Sequence, residues 1–115
     1  MKGESESREI RKLARYQVRP EGLEKCLAAI REFVGSIREN EQGTLRYEVW
    51  QERGDPTCFV HLFIFRDQEA KRIHSESPYV KKFAGVLYPE CIAPVEFVEY
   101  QQVVSNIDPP ARSAP

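Results

Sequence analysis

The sequence predicts an α+β fold, a single antiparallel sheet with helices packed on one face, and three observations carry that prediction. Four runs read as strands, either by alternating apolar and polar residues or by staying apolar throughout. One long stretch, residues 23–37, repeats Leu23, Cys26, Leu27, Ile30, Phe33, Val34 and Ile37 at helical spacing. A second helical region, broken in two, follows the third strand-like run. The resulting order, β-α-β-β-α-β, is the ferredoxin-like arrangement.

Length and composition bound the rest. The 115 residues make one domain, and an apolar content of 41% supplies a modest core. Seventeen Lys and Arg against eighteen Asp and Glu leave a net charge of −1, which provides no broad field for nucleic acid or an anionic membrane. No run approaches the roughly 18 apolar residues of a membrane-spanning helix. The opening Met1-Lys2-Gly3-Glu4-Ser5-Glu6-Ser7-Arg8 lacks the apolar core of a signal peptide. Cys26, Cys58 and Cys91, an odd number in separate segments, argue against a disulfide framework. We expect a soluble, cytoplasmic domain over residues 11–104, between a flexible tail at 1–10 and a disordered, proline-bearing tail at 105–115.

The first strand, residues 12–19, sets Ala14, Tyr16 and Val18 on one face, with Arg15 and Gln17 between them. Pro20 and Gly22 open the long helix, whose far side is charged, and Gly43 lies beyond its end. Residues 44–52 alternate Leu45, Tyr47 and Val49 against Arg46 and Glu48, with Trp50 interrupting the polar face. Arg53-Gly54-Asp55-Pro56 is a turn, so this strand and the run at 58–65 form a hairpin. Asp67 caps a short helix reaching His74, and Ser77-Pro78 starts another through Val80, Phe83 and Val86. Pro89 and Pro94 break the chain before a last strand at 95–104.

The run at 58–65 is apolar on both faces, with Cys58, Val60, Leu62 and Ile64 on one and Phe59, His61, Phe63 and Phe65 on the other. Helices covering one side of the sheet leave the other bare, a larger patch than a monomer tolerates. A second copy, in a two-fold dimer, is the simplest cover.

Several segments carry a family likeness. Gly43-Thr44-Leu45-Arg46-Tyr47-Glu48-Val49-Trp50, Asp55-Pro56-Thr57-Cys58-Phe59-Val60, Asp67 with Ala70, and His74-Ser75-Glu76-Ser77-Pro78 with Phe83 together resemble the antibiotic biosynthesis monooxygenase domain. The likeness spans residues 13–103 and implies a dimeric α+β barrel with the open sheet faces packed together. It implies one of three chemistries: oxidation of phenols, anthrones or quinols by O₂ without metal or flavin, degradation of haem, or isomerisation of a phosphorylated sugar-like signal. The haem degraders use an asparagine on the first strand, a place that neither Asn40 nor Asn106 occupies. Many members carry a glutamate mid-way along the third strand, where Phe63 stands and makes the pocket more apolar. The resemblance therefore implies a cofactor-independent, homodimeric monooxygenase taking a small electron-rich aromatic and O₂. An acid/base isomerase and a non-catalytic dimeric small-molecule-binding protein are the alternatives.

Such a reaction needs apolar walls, a proton acceptor and a donor facing the developing oxyanion. His74, at the junction of two helices, is the candidate catalytic base, against the plainer role of fixing that junction by a hydrogen bond. Tyr47, Trp50, Phe63, Phe65, Tyr79 and Phe83 are the candidate substrate-binding residues. Tyr47 and Trp50 lie on opposite faces of one strand, so a single cavity takes at most one of them. Tyr79 and Phe83, one helical turn apart, wall a pocket or simply fill the core. Parity leaves open which face His61 shares with the helices, and we place it at the subunit interface. Two histidines 13 residues apart and dispersed cysteines have no metal-site spacing, and no glycine-rich phosphate loop exists. The RNA-recognition fold shares this element order, but Cys58-Phe59-Val60-His61-Leu62 lacks its basic, glycine and closing aromatic residues.

Overall fold

The computed structural model describes residues 8–107, so positions 1–7 and 108–115 of the two expected tails lie outside the described residues. The elements run β1 (Ile10–Gln17), a 3₁₀ turn (Pro20–Gly22), α1 (Leu23–Asn40), β2 (Thr44–Gln51), β3 (Cys58–Phe65), α2 (Gln68–Ser75), α3 (Pro78–Leu87), a second 3₁₀ turn (Tyr88–Glu90) and β4 (Glu96–Tyr100). The strands form one antiparallel sheet in the order β2-β3-β1-β4. This is the expected ferredoxin-like α+β fold. Among the described residues no helix is long and apolar enough to cross a membrane.

The helices cover one face of the sheet, and β3 shows which. Phe59, His61, Phe63 and Phe65 are buried while Cys58, Val60, Leu62 and Ile64 are half-buried on the opposite side. The placement of His61 at a subunit interface is thereby corrected, since its ring points toward the helices. The bulkier, aromatic face of β3 is the one that needs filling, and Cys26, Ile30, Phe33 and Ile37 on α1 fill it together with Phe83 and Leu87 of α3. A smaller cluster of Ile10, Ala14, Phe63, Phe65 and Ala70 closes the other end of the sheet.

Three further expectations change. Leu45 does not share the inner face with Tyr47 and Val49, because β2 shifts register against β3 between Thr44 and Arg46 and leaves Leu45 exposed on the bulge. β4 ends at Tyr100 rather than at 104, since its partner β1 begins at Ile10 and their register already pairs Arg11 with Tyr100. Ser77 stands at the N-terminus of α3, yet its hydroxyl donates to the Ile73 carbonyl at 2.7 Å instead of capping. Asp67 does cap α2, accepting from the Ala70 N–H at 2.9 Å.

Gly43 matters at the turn into β2. A Cβ there would lie 2.6 Å from the Ala70 Cβ, so any side chain pushes α2 off the sheet. Gly43→Ala is expected to cost about 1–3 kcal/mol, the usual penalty for overpacking, read as a lower urea midpoint. An unchanged midpoint would show that α2 is free to retreat.

Candidate active site

The end of α1 delivers a carboxylate to the interior. Glu41 closes the helix through its backbone N–H to the Ile37 carbonyl (2.9 Å), and its side chain turns inward with the residue only 7% exposed. There it accepts from Nδ1 of His74 at 3.0 and 3.1 Å, from the Thr44 hydroxyl at 2.5 Å and from the Tyr79 hydroxyl at 2.5 Å. Burial alone would raise the Glu41 carboxyl above its ordinary value. The hydrogen bonds from His74, Thr44 and Tyr79 outweigh that and hold it below, so Glu41 is a carboxylate at neutral pH. His74, in the last turn of α2, therefore carries its proton on Nδ1 and keeps a lone pair on Nε2. Among the described residues nothing hydrogen-bonds Nε2.

The second histidine has a different setting. His61 is 2% exposed, with Nε2 at 2.7 Å from the Tyr16 hydroxyl and Nδ1 at 2.7 Å from the Tyr47 hydroxyl. No carboxylate faces it, and burial lowers its pKa from 6.5 to about 4. The ring is neutral at pH 7.

Both histidines border one cavity of about 210 Å³ between sheet and helices. Its walls are aromatic: Phe33 stacks on Phe83 at 4.3 Å, and Tyr47 stacks on Phe63 at 4.9 Å. The exposed rings of Tyr88 and Phe97 mark its mouth, where Lys12 and Lys71 also line it. Lys12 lies over Phe97 at 5.8 Å, and neither lysine has an ion-pair partner among the described residues.

Of the residues expected to form the site, His74, Tyr47, Phe63, Phe65 and Phe83 line this cavity. Trp50 does not. It pairs with Val60 on the open face and is 56% exposed. Tyr79 is not a wall either: its hydroxyl serves Glu41, and its ring leans on Phe33 at 6.4 Å. Glu41 and His61 were not among the expected site residues. Glu41 sits in the charged run Glu39-Asn40-Glu41-Gln42, whose pattern has nothing to separate a buried carboxylate from a solvated one. His61 did leave a signal, as the single polar residue in an apolar strand.

Comparisons with known proteins follow the same lines. The family model described as antibiotic biosynthesis monooxygenase matches residues 10–86. The chain is similar in structure to a candidate antibiotic biosynthesis monooxygenase from Bacteroides thetaiotaomicron VPI-5482, with 22% identity, coverage of 87% of this chain and 94% of that one, and a TM-score of 0.79. A crystal structure of an antibiotic biosynthesis monooxygenase gives 22% identity, coverage of 83% and 99%, and a TM-score of 0.77. A conserved protein from Methanosarcina mazei Go1 gives 23%, coverage of 83% and 93%, and 0.76. At these identities the likeness is one of fold. A search of curated proteins finds no match.

The buried neutral His61 gives the fold a pH dependence with a definite sign. The unfolded chain takes up a proton near pH 6.5 and the folded one only near 4, so stability falls as pH drops through that window. The loss is at most about 3 kcal/mol. Glu41 adds its own loss only below its ordinary 4.5. Urea unfolding at pH 7 and pH 5 should show the decline in the native chain and a smaller one in His61→Gln. Equal declines would mean that His61 does not resist protonation.

Proposed function

Because the chain belongs to the antibiotic biosynthesis monooxygenase family, we propose that it is a cofactor-independent monooxygenase that oxidises a small hydroxyaromatic, a phenol or quinol, with O₂. The observation that carries this reading is His74, held through Nδ1 by Glu41 and bordering an aromatic cavity. A cavity of about 150 Å³ admits benzene, so 210 Å³ suits one substituted ring or a fused pair better than a three-ring anthrone.

His74 Nε2 takes the hydroxyl proton, and the Glu41 carboxylate stabilises the imidazolium that forms. The phenolate passes one electron to O₂, and the two radicals combine as a peroxide on a ring carbon. His74 returns its proton to the distal peroxide oxygen. It then removes the hydrogen from the same carbon as the O–O bond breaks, leaving a carbonyl and releasing water. One O₂ thus supplies one oxygen to the quinone and one to water, with no external reductant. The apolar walls hold water away from the anion, and the ammonium groups of Lys12 and Lys71 favour its charge.

The reading includes a homodimer. Leu13, Val60, Leu62, Ile64 and Val98 make an apolar stripe on the open face, with Trp50 and Tyr100 exposed beside it. Leu62→Lys is expected to turn a dimer into a monomer by light scattering, without disturbing the cavity on the other side of the sheet. A native chain that elutes as a monomer would remove the dimer from the proposal.

Oxygen uptake by metal-stripped protein on a panel of phenols and quinols tests the reaction. Saturable uptake that falls about 10²–10⁴-fold in His74→Asn is expected, because the amide still donates to Glu41 but is no base. Uptake that survives in this variant would discard His74 as the base. No uptake, with proton exchange at a substrate carbon instead, would mark the isomerase.

A further inference from the structure

The Tyr16–His61–Tyr47 chain has two equal hydrogen bonds, both 2.7 Å, but unequal surroundings. Tyr16 is buried at 7% exposure, and His61 is the sole hydrogen-bond partner of its hydroxyl among the described residues. Tyr47 borders the cavity. We propose that Tyr16 is a positioning residue that sets the His61 tautomer, so that the Tyr47 hydroxyl donates its hydrogen into the cavity, to the oxygen of a bound hydroxyaromatic. The inference deepens the monooxygenase reading and rests on it for the class of ligand.

The argument is one of satisfying every donor. A neutral imidazole has one N–H and one lone pair, so it donates to one tyrosine and accepts from the other. If Nε2 carried the proton, Tyr16 would accept it and its own largely buried hydroxyl hydrogen would have no acceptor among the described residues, which is the costly arrangement. With the proton on Nδ1, Tyr16 donates to Nε2 and is satisfied. His61 then donates to the Tyr47 oxygen, leaving the Tyr47 hydrogen free. Among the described residues that hydrogen has no acceptor, and the cavity that Tyr47 borders can supply one, in water or ligand. Burial keeps His61 from carrying both protons at neutral pH.

The result is a matched pair of groups. The Tyr47 and His74 rings lie 6.0 Å apart, one with a hydrogen to give and the other with a lone pair. A phenol hydroxyl placed between them loses its proton to His74 while Tyr47 stabilises the oxyanion left behind. The two histidines thereby hold opposite tasks: His74 accepts, and His61 makes a neighbouring tyrosine donate.

Long-range ¹H–¹⁵N correlation of the ligand-free protein reads the tautomer directly, with no substrate needed. The expected pattern for His61 is a protonated Nδ1 and a bare Nε2, fixed in the native chain and in Tyr47→Phe and no longer fixed in Tyr16→Phe, where Nε2 has no partner in either tautomer. A native ring protonated on Nε2 overturns the inference. Absorbance titration with 4-nitrophenol should show binding weakened about tenfold in Tyr47→Phe and less in Tyr16→Phe, with the double variant no weaker than Tyr47→Phe alone, because Tyr16 acts through Tyr47. Binding of 4-nitrotoluene, which has no oxygen in that place, should be unchanged by Tyr16→Phe. Equal weakening of both ligands would make Tyr16 merely structural and overturn the inference. If the tautomer is as expected but no phenol or quinol is oxidised, the monooxygenase reading falls and the relay stands.

Discussion

A carboxylate sealed in a protein interior must be surrounded by donors, and the burial of Glu41 organises much of this molecule. Its three donors come from three segments: Thr44 at the start of β2, His74 at the end of α2 and Tyr79 at the start of α3. His74 and Tyr79 are five residues apart, which on a continuous helix separates them by about 140°. They converge on one carboxylate only because the helix breaks at Ser77-Pro78. The break is therefore a requirement of the site and not a defect in the helix. Removing one partner of such a buried pair costs about 3–5 kcal/mol in comparable cases, so the geometry of the site and the stability of the fold rest on the same atoms.

Two histidines on one cavity take different characters from their neighbours alone. His74 faces a carboxylate, which fixes its proton on Nδ1. His61 faces two tyrosine hydroxyls and no charge, so desolvation keeps it neutral well below ordinary histidine pH values. Environments that push like groups apart are how a small site acquires both an acceptor and a donor. The aromatic walls border both.

The sheet separates the cavity from the apolar stripe of the open face. Its inner face holds the cavity and its outer face carries the apolar stripe with Trp50, so a change on one side leaves the other intact. Small irregularities keep the division clean. The bulge at Leu45 moves that residue outward and restores Tyr47 to the inner face opposite Phe63, where the hydroxyl meets His61. Gly43 allows α2 to approach closely enough for His74 to reach Glu41.

The sequence by itself determined the element order, the long helix and the hairpin, because these follow from apolar periodicity and turn chemistry that act over a few residues, and its ordered motifs carried the resemblance to the family. It also singled out His74, Tyr47, Phe63, Phe65 and Phe83, which the fold brings to one cavity. Tertiary structure alone decided the sidedness of β3, since alternation is symmetric between faces until helices cover one of them. It decided the register at Leu45, where one inserted residue reverses the parity of what precedes it. And it decided the partners of Glu41 and His61, because the residues that meet them, Thr44 excepted, stand at least 14 positions away in the chain. A hydrogen bond between such distant groups leaves no periodic trace in sequence; only the packing that brings their elements together creates it.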